Sequence, residues 1–299
     1  MQGVNIFIRQ LTGIRFIAAA WVLLYHLQGP LQVLGLGDIP VFSDVIRVGR
    51  LGVDLFFALS GFILTHTYLT RMGPGIRVRT TGRFLWLRLA RIYPVHLVML
   101  IVAGVAVYAQ ARVTGNELNR SWLNPVDFIK QLLLIQEWGP DPQRGWNFVA
   151  WSLSMEWFAY LLFPLMVLVF FLLARRGSTI VLVISWVLVL TPLVWYGLGT
   201  GDPYYTGGWG STIRVLTEFI AGAITYLIVI RLIPQGELDP TPVVQRVASV
   251  LAFVFPAAVI AGAVVLGQLA IAQPPLRNLA EDAEPLPPYF HLLLVPPLI

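Results

Sequence analysis

Apolar positions in this chain gather into long, nearly unbroken runs, and the polar residues fall between them. Runs near 11–29, 49–69, 84–110, 148–173, 178–198, 212–233 and 246–271 each have the length of a membrane-crossing helix, since a span needs roughly 20 apolar residues at 1.5 Å of rise each. A last apolar run opens at Pro288 and stops at Ile299, too short to cross. The pattern predicts an all-α, polytopic transmembrane bundle of about seven complete spans with an unfinished eighth. The first run holds an arginine and lacks a small-residue cleavage site, so it reads as a span and not as a cleavable signal. The segment 111–147 is long for a connection. It carries the apolar patch DFIKQLLLIQEW at 127–138, expected to form a re-entrant or surface helix.

Charge fixes the expected orientation. With the N-terminus cytoplasmic, the inner segments hold 11 arginines (Arg9; Arg71, Arg77, Arg79, Arg83, Arg88 and Arg91; Arg175 and Arg176; Arg231 and Arg246) against Glu237 and Asp239. Most of the acids then lie outside, as the positive-inside rule requires. Composition agrees with a cell-membrane protein: 57% of the 299 residues are hydrophobic and 12% charged, about half the charge of a soluble domain. A net charge of +5 invites a nucleic-acid reading, but the positive residues sit at membrane-facing ends, so none is expected. The chain has no cysteine, which removes disulfides and thiolate chemistry. Its four histidines show no metal-ligand spacing.

An ionisable side chain at membrane depth is costly and is a functional candidate by default. Arg15 and His26 in the first run are eleven residues apart, roughly three helical turns plus 20°, and so share one face about 16 Å apart. Arg15 could instead snorkel to headgroups, and His26 could rest at the outer interface. Asp54 enters the second span at a depth like that of His26, where it could orient the imidazole or satisfy free N–H groups at a helix start. Glu156 lies about two turns inside the fourth span, as a reactive carboxylate or a hydrogen-bond partner of Ser152 or Trp151. Glu218 is expected to pair with Arg214 one turn earlier. Arg88 and Arg91 share a helix face near the inner boundary, as an anion site or as part of the positive-inside bias. Gly52, Ser60 and Gly61 are expected to let helices approach closely.

These segments resemble the membrane-bound acyltransferase 3 family, the bacterial O-acyltransferases of polysaccharides, lipopolysaccharide and macrolides. LTGIRFIAAAWVLLYH (11–26) carries its arginine-to-histidine spacing, and GVDLFFALSGFIL (52–64), RLARIYPVH (88–96) and WSLSMEWFAYLLFP (151–164) resemble its other signatures in order. The resemblance covers roughly residues 8–240 and implies transfer of an acyl group, commonly acetyl, from acyl-CoA as co-substrate to a hydroxyl of a sugar, polysaccharide or glycosylated small molecule, with no resident cofactor or metal. It implies catalytic roles for His26, Asp54 and Glu156. It also implies that Arg15, Arg88 and Arg91 hold the phosphates of cytosolic CoA, whose pantetheine arm reaches His26. Family members run to about ten spans. Residues 1–299 are therefore expected to be a single transmembrane domain of this kind, incomplete at its C-terminus. A transporter or proton-relay protein would also carry buried charges, although no inverted repeat is seen. An inactive fragment serving as a scaffold is a third reading.

Overall fold

A backbone in lipid must satisfy its own hydrogen bonds, and uninterrupted apolar runs do so as helices. The computed structural model describes residues 8–27, 46, 48–73, 75–114, 123–140, 145–200 and 209–232; among them every long element is helical and none is a strand. The helices are α1 (Ile8–His26), α2 (Leu51–Met72), α3 (Val78–Thr114), α4 (Pro125–Leu132), α5 (Trp151–Arg176), α6 (Thr179–Thr200) and α7 (Gly210–Leu232). Short 3-10 turns at Val48–Arg50 and Phe148–Ala150 lead into α2 and α5.

Five of these, α2, α3, α5, α6 and α7, are long and apolar enough to cross a membrane, and the protein is a multi-pass membrane protein. Among the described residues the apolar part of α1, Gly13–His26, is shorter than these five. The expected run 246–271 and the final run from Pro288 lie outside the described residues. The helix predicted over 84–110 is longer than its apolar stretch: α3 has 37 residues, because the polar stretch from Val78 to Arg83 continues the same helix beyond the lipid-facing part. Pro94, Pro164 and Pro192 sit inside α3, α5 and α6. Spans tolerate such prolines because neighbouring helices and local adjustments satisfy the freed carbonyls.

The described residues divide into two units, a smaller one up to Val53 and a larger one from Asp54. In the smaller unit, α1 buries one face. Ala18 is fully buried, while its neighbours Phe16 and Ile17 are exposed. Gly52 lies against this face: a Cβ there would come within 2.7 Å of the Ala18 carbonyl oxygen and of a Val22 methyl. Arg15 and His26 fall on the same stripe as Ala18 and Val22, by the i, i+3, i+4 rule.

In the larger unit, α6 packs along α7, α7 along α5, and α5 along α3. The core is aromatic. Phe84 of α3 stacks 5.2 Å from Phe163 of α5 and 4.9 Å from Tyr68 of α2, and Phe163 meets Phe219 of α7 at 6.0 Å. Helices α2 and α7 cross at backbone contact: a Cβ on Gly61 would overlap the Phe219 carbonyl, and one on Gly222 the Ala58 carbonyl. The small-residue expectation at Gly52 and Gly61 is met. Helix α6 turns Ile180, Ile184, Val187, Leu188 and Trp195 outward, as a lipid-facing helix must.

The segment between α3 and α5 holds α4, eight residues long, capped by Asn124, whose side chain accepts from the Val126 N–H at 2.8 Å. Its amphipathicity is inverted. Asp127 and Gln131 are buried, while Val126, Ile129 and Leu133 are exposed. A helix in water does the opposite.

Candidate active site

His26 closes α1, and its ring is set by its own helix. The Nδ1–H donates to the Val22 carbonyl at 2.8 Å, and Tyr25 meets the ring edge-on at 5.2 Å. A neutral imidazole that donates through Nδ1 carries its lone pair on Nε2. Arg15, half-buried, lies three turns earlier on the same helix.

The acidic candidates belong to the larger unit and take different partners. Asp54 receives a charged hydrogen bond from Arg214, Nε to Oδ1, at 2.5 Å. The same Nε lies 3.5 Å from Glu218 Oε1, so the expected Arg214–Glu218 pairing is present and Asp54 joins it. All three side chains are largely buried, at 10%, 21% and 14% exposure for Arg214, Asp54 and Glu218. The guanidinium also stands over the Trp151 ring, 5.7 Å from its centre. One cation thus serves two carboxylates and an aromatic face. Neither the sharing of Arg214 nor Trp151 was read from sequence, although an arginine and a glutamate four residues apart in an apolar span were the available signal.

Glu156 accepts a short hydrogen bond from the Tyr160 hydroxyl one turn on, not from Ser152 or Trp151. Tyr160 is buried at 2% exposure, packs 6.2 Å from Phe84, and lies within electrostatic range of both Arg88 and Arg91. Sequence position put Glu156 near the outer end of its span and the two arginines near the inner end of theirs. The antiparallel packing of α3 and α5, with α3 extended at its start, brings all three to one level around Tyr160. Arg88 donates from Nη2 to the Tyr68 hydroxyl at 3.4 Å, and its guanidinium lies 5.8 Å over Tyr68 and 5.9 Å over Phe84. Its Nε is buried with no partner among the described residues. Arg91 is exposed.

A further buried polar group, missed in the sequence, surrounds α4. His96 is fully buried and donates from Nε2 to the Gln131 carbonyl at 2.8 Å. Gln131 donates in turn to the Gly145 and Asn147 carbonyls at 2.8 and 3.2 Å. Ser154 at the start of α5 donates to the Leu134 carbonyl at 2.8 Å, and Glu137 accepts from Ser211 of α7 at 2.6 Å. These bonds tie the long connection into the bundle. The signal was present in the polar residues that punctuate the apolar patch, Asp127, Gln131, Gln136 and Glu137.

The acyltransferase 3 pattern, described as an acyltransferase domain, matches residues 8–298. Acyltransferase MdmB of Streptomyces mycarofaciens is 35% identical over 163 residues, which cover 52% of this chain and 38% of that protein. Protein 2 in the picA locus of Rhizobium radiobacter is 38% identical over 98 residues, covering 33% of this chain and 44% of that one. The matched stretches thus span less than half the length of each of these relatives. No solved structure is significantly similar to the chain. With the family pattern running over nearly its full length, the chain belongs to the acyltransferase 3 family of membrane acyltransferases.

Proposed function

We propose that this protein transfers an acyl group, acetyl in the simplest case, from acyl-CoA to a hydroxyl of a carbohydrate or glycosylated acceptor, with its N-terminus cytoplasmic. The observation that carries the reading is the His26 ring, whose Nδ1–H is committed to the Val22 carbonyl, so that Nε2 is the basic nitrogen. In the proposed step Nε2 takes the proton of the acceptor hydroxyl as its oxygen attacks the thioester carbonyl. The tetrahedral intermediate then collapses, the C–S bond breaks, and the imidazolium returns the proton to the departing CoA sulfur.

The basic residues Arg15, Arg88 and Arg91 are assigned to the phosphates of the donor, because planar guanidinium groups bind phosphate oxygens in pairs. Support comes from Arg88, whose buried Nε has no protein partner among the described residues and whose aromatic platform holds it in place. Asp54 and Glu156 are assigned as carboxylates that fix the site's charged groups, Asp54 through Arg214 and Glu156 through Tyr160 beside the arginines.

The test is acyl transfer from acetyl-CoA to a panel of sugar and glycoside acceptors by the protein in nanodiscs. His26→Ala and His26→Gln should lower turnover by about 100-fold or more, the scale of general-base catalysis, with membrane insertion unchanged. Retained turnover in either variant overturns the role of His26.

A further inference from the structure

Where α2 passes to α3 the larger unit holds a cavity of about 180 Å³, lined by Tyr68, Arg71, Thr80, Arg83, Phe84 and Leu87. Three features define what it can take. It is cationic: Arg71 and Arg83, both exposed, form no ion pair among the described residues, and no Asp or Glu occurs between Asp54 and Glu117. Two hydroxyl-bearing side chains, Thr80 and Tyr68, line it with the two arginines. And its size lies below the usual range for a drug-sized ligand, so it suits a single tetrahedral anion and not a whole nucleotide.

The cavity also shares two walls with Arg88. Tyr68 and Phe84 line it and carry the Arg88 guanidinium on their faces. One aromatic pair therefore adjoins both Arg88 and the cavity that Arg71 and Arg83 line.

We propose that this cavity binds a phosphate monoester dianion, held by Arg71, Arg83 and the Thr80 hydroxyl, as a subsite separate from Arg88 and Arg91. Resting on the acyl-CoA reading above, it takes the 3′-phosphate of the donor, while Arg88 and Arg91 take the diphosphate. A monoester headgroup such as that of phosphatidic acid has the same chemistry, and the experiment separates the two sources.

Binding to the protein in phosphatidylcholine nanodiscs is measured by calorimetry for CoA, 3′-dephospho-CoA and inorganic phosphate, and in nanodiscs doped with phosphatidic acid for the lipid. Wild type should bind CoA more tightly than 3′-dephospho-CoA by about tenfold or more, the scale of charge-assisted hydrogen bonds. In Arg71→Gln/Arg83→Gln the two ligands should bind alike, with 3′-dephospho-CoA unaffected and inorganic phosphate binding weakened. Arg79→Gln, an exposed arginine outside the cavity, should behave as wild type, and Arg71→Lys/Arg83→Lys should recover part of the preference, showing that the glutamine variant fails by charge and not by misfolding. If the double variant keeps its CoA preference but loses phosphatidic acid, the phosphate is a lipid's and the donor assignment is overturned. If it binds every ligand as wild type does, the site itself is overturned. A protein that uses no acyl-CoA would sink the proposed function, while the inorganic phosphate arm still reads the cavity.

Discussion

Arg214 on α7 holds Asp54 on α2 through a 2.5 Å hydrogen bond, joining residues 160 positions apart in the chain. The same guanidinium faces Glu218 and the Trp151 ring, so three side chains on three helices depend on one. Removing a partner from a buried ion pair costs far more than the pair contributes, because the remaining charge is stranded. Arg214→Ala should therefore destabilise the protein by about 3 kcal/mol or more. Asp54→Asn should cost less, since Glu218 still answers the arginine. The double variant Asp54→Asn/Arg214→Gln should be more stable than the sum of its parts, with a coupling of about 1–3 kcal/mol. Thermal unfolding in detergent measures all three, and strict additivity would show that the pair is not coupled.

The crossing of α2 and α7 allows no side chain. Gly61→Ala and Gly222→Ala each push a methyl into a carbonyl oxygen of the facing helix, and should destabilise by about 1–3 kcal/mol, the usual cost of overpacking. Gly82 in α3 is the control. A Cβ there meets nothing, so Gly82→Ala should be neutral or stabilising by up to about 1 kcal/mol through helix propensity. Melting temperatures of the three variants decide it; equal behaviour would mean the helices separate readily.

His96 pins the connection between α3 and α5 through the Gln131 carbonyl. His96→Leu fills similar volume without the donor; the Gln131 carbonyl keeps the Leu134 N–H at 3.0 Å, so the cost is that of one hydrogen bond, about 0.5–1.5 kcal/mol. The local effect should exceed the global one, with faster protease cleavage within 123–150 and little change elsewhere. Unchanged cleavage would assign the connection's order to its other bonds.

Tyr160→Phe keeps the packing on Phe84 and removes the hydrogen bond to Glu156. The freed carboxylate then competes for Arg88 and Arg91, so the KM for acyl-CoA should rise severalfold with kcat nearly constant, the signature of lost ground-state binding. A fall in kcat at constant KM would move Glu156 from the donor site to the reacting groups. Steady-state kinetics with varied donor separates the two.

Most of the helices were legible from hydropathy alone, because lipid imposes long apolar runs. Buried charges were legible for the same reason: Asp54, Glu156, Glu218 and the arginines stand out against apolar neighbours. Helical periodicity also gave local pairs, such as Arg214 with Glu218. What it could not give was which helices adjoin. The 3.6-residue repeat sets the direction in which Asp54 points on α2 but not that Arg214 of α7 stands there, and sequence depth placed Glu156 apart from Arg88 because α3 extends past its apolar run. The connection around α4 reads from sequence as a re-entrant or surface helix, since its hydrophobic residues dominate any average; Asp127 and Gln131 are the ones that are buried.

That inversion gives the lipid a structural task. Val126, Ile129 and Leu133 on α4 are exposed among the described residues, so acyl chains are expected to form the outer wall that keeps Asp127 and Gln131 seated. Solubilisation in short-chain detergent should loosen this wall before any long helix melts. Membrane thickness and acyl-chain order then become variables of the enzyme's own architecture, and two preparations with one sequence can differ in how firmly the α3–α5 connection is closed.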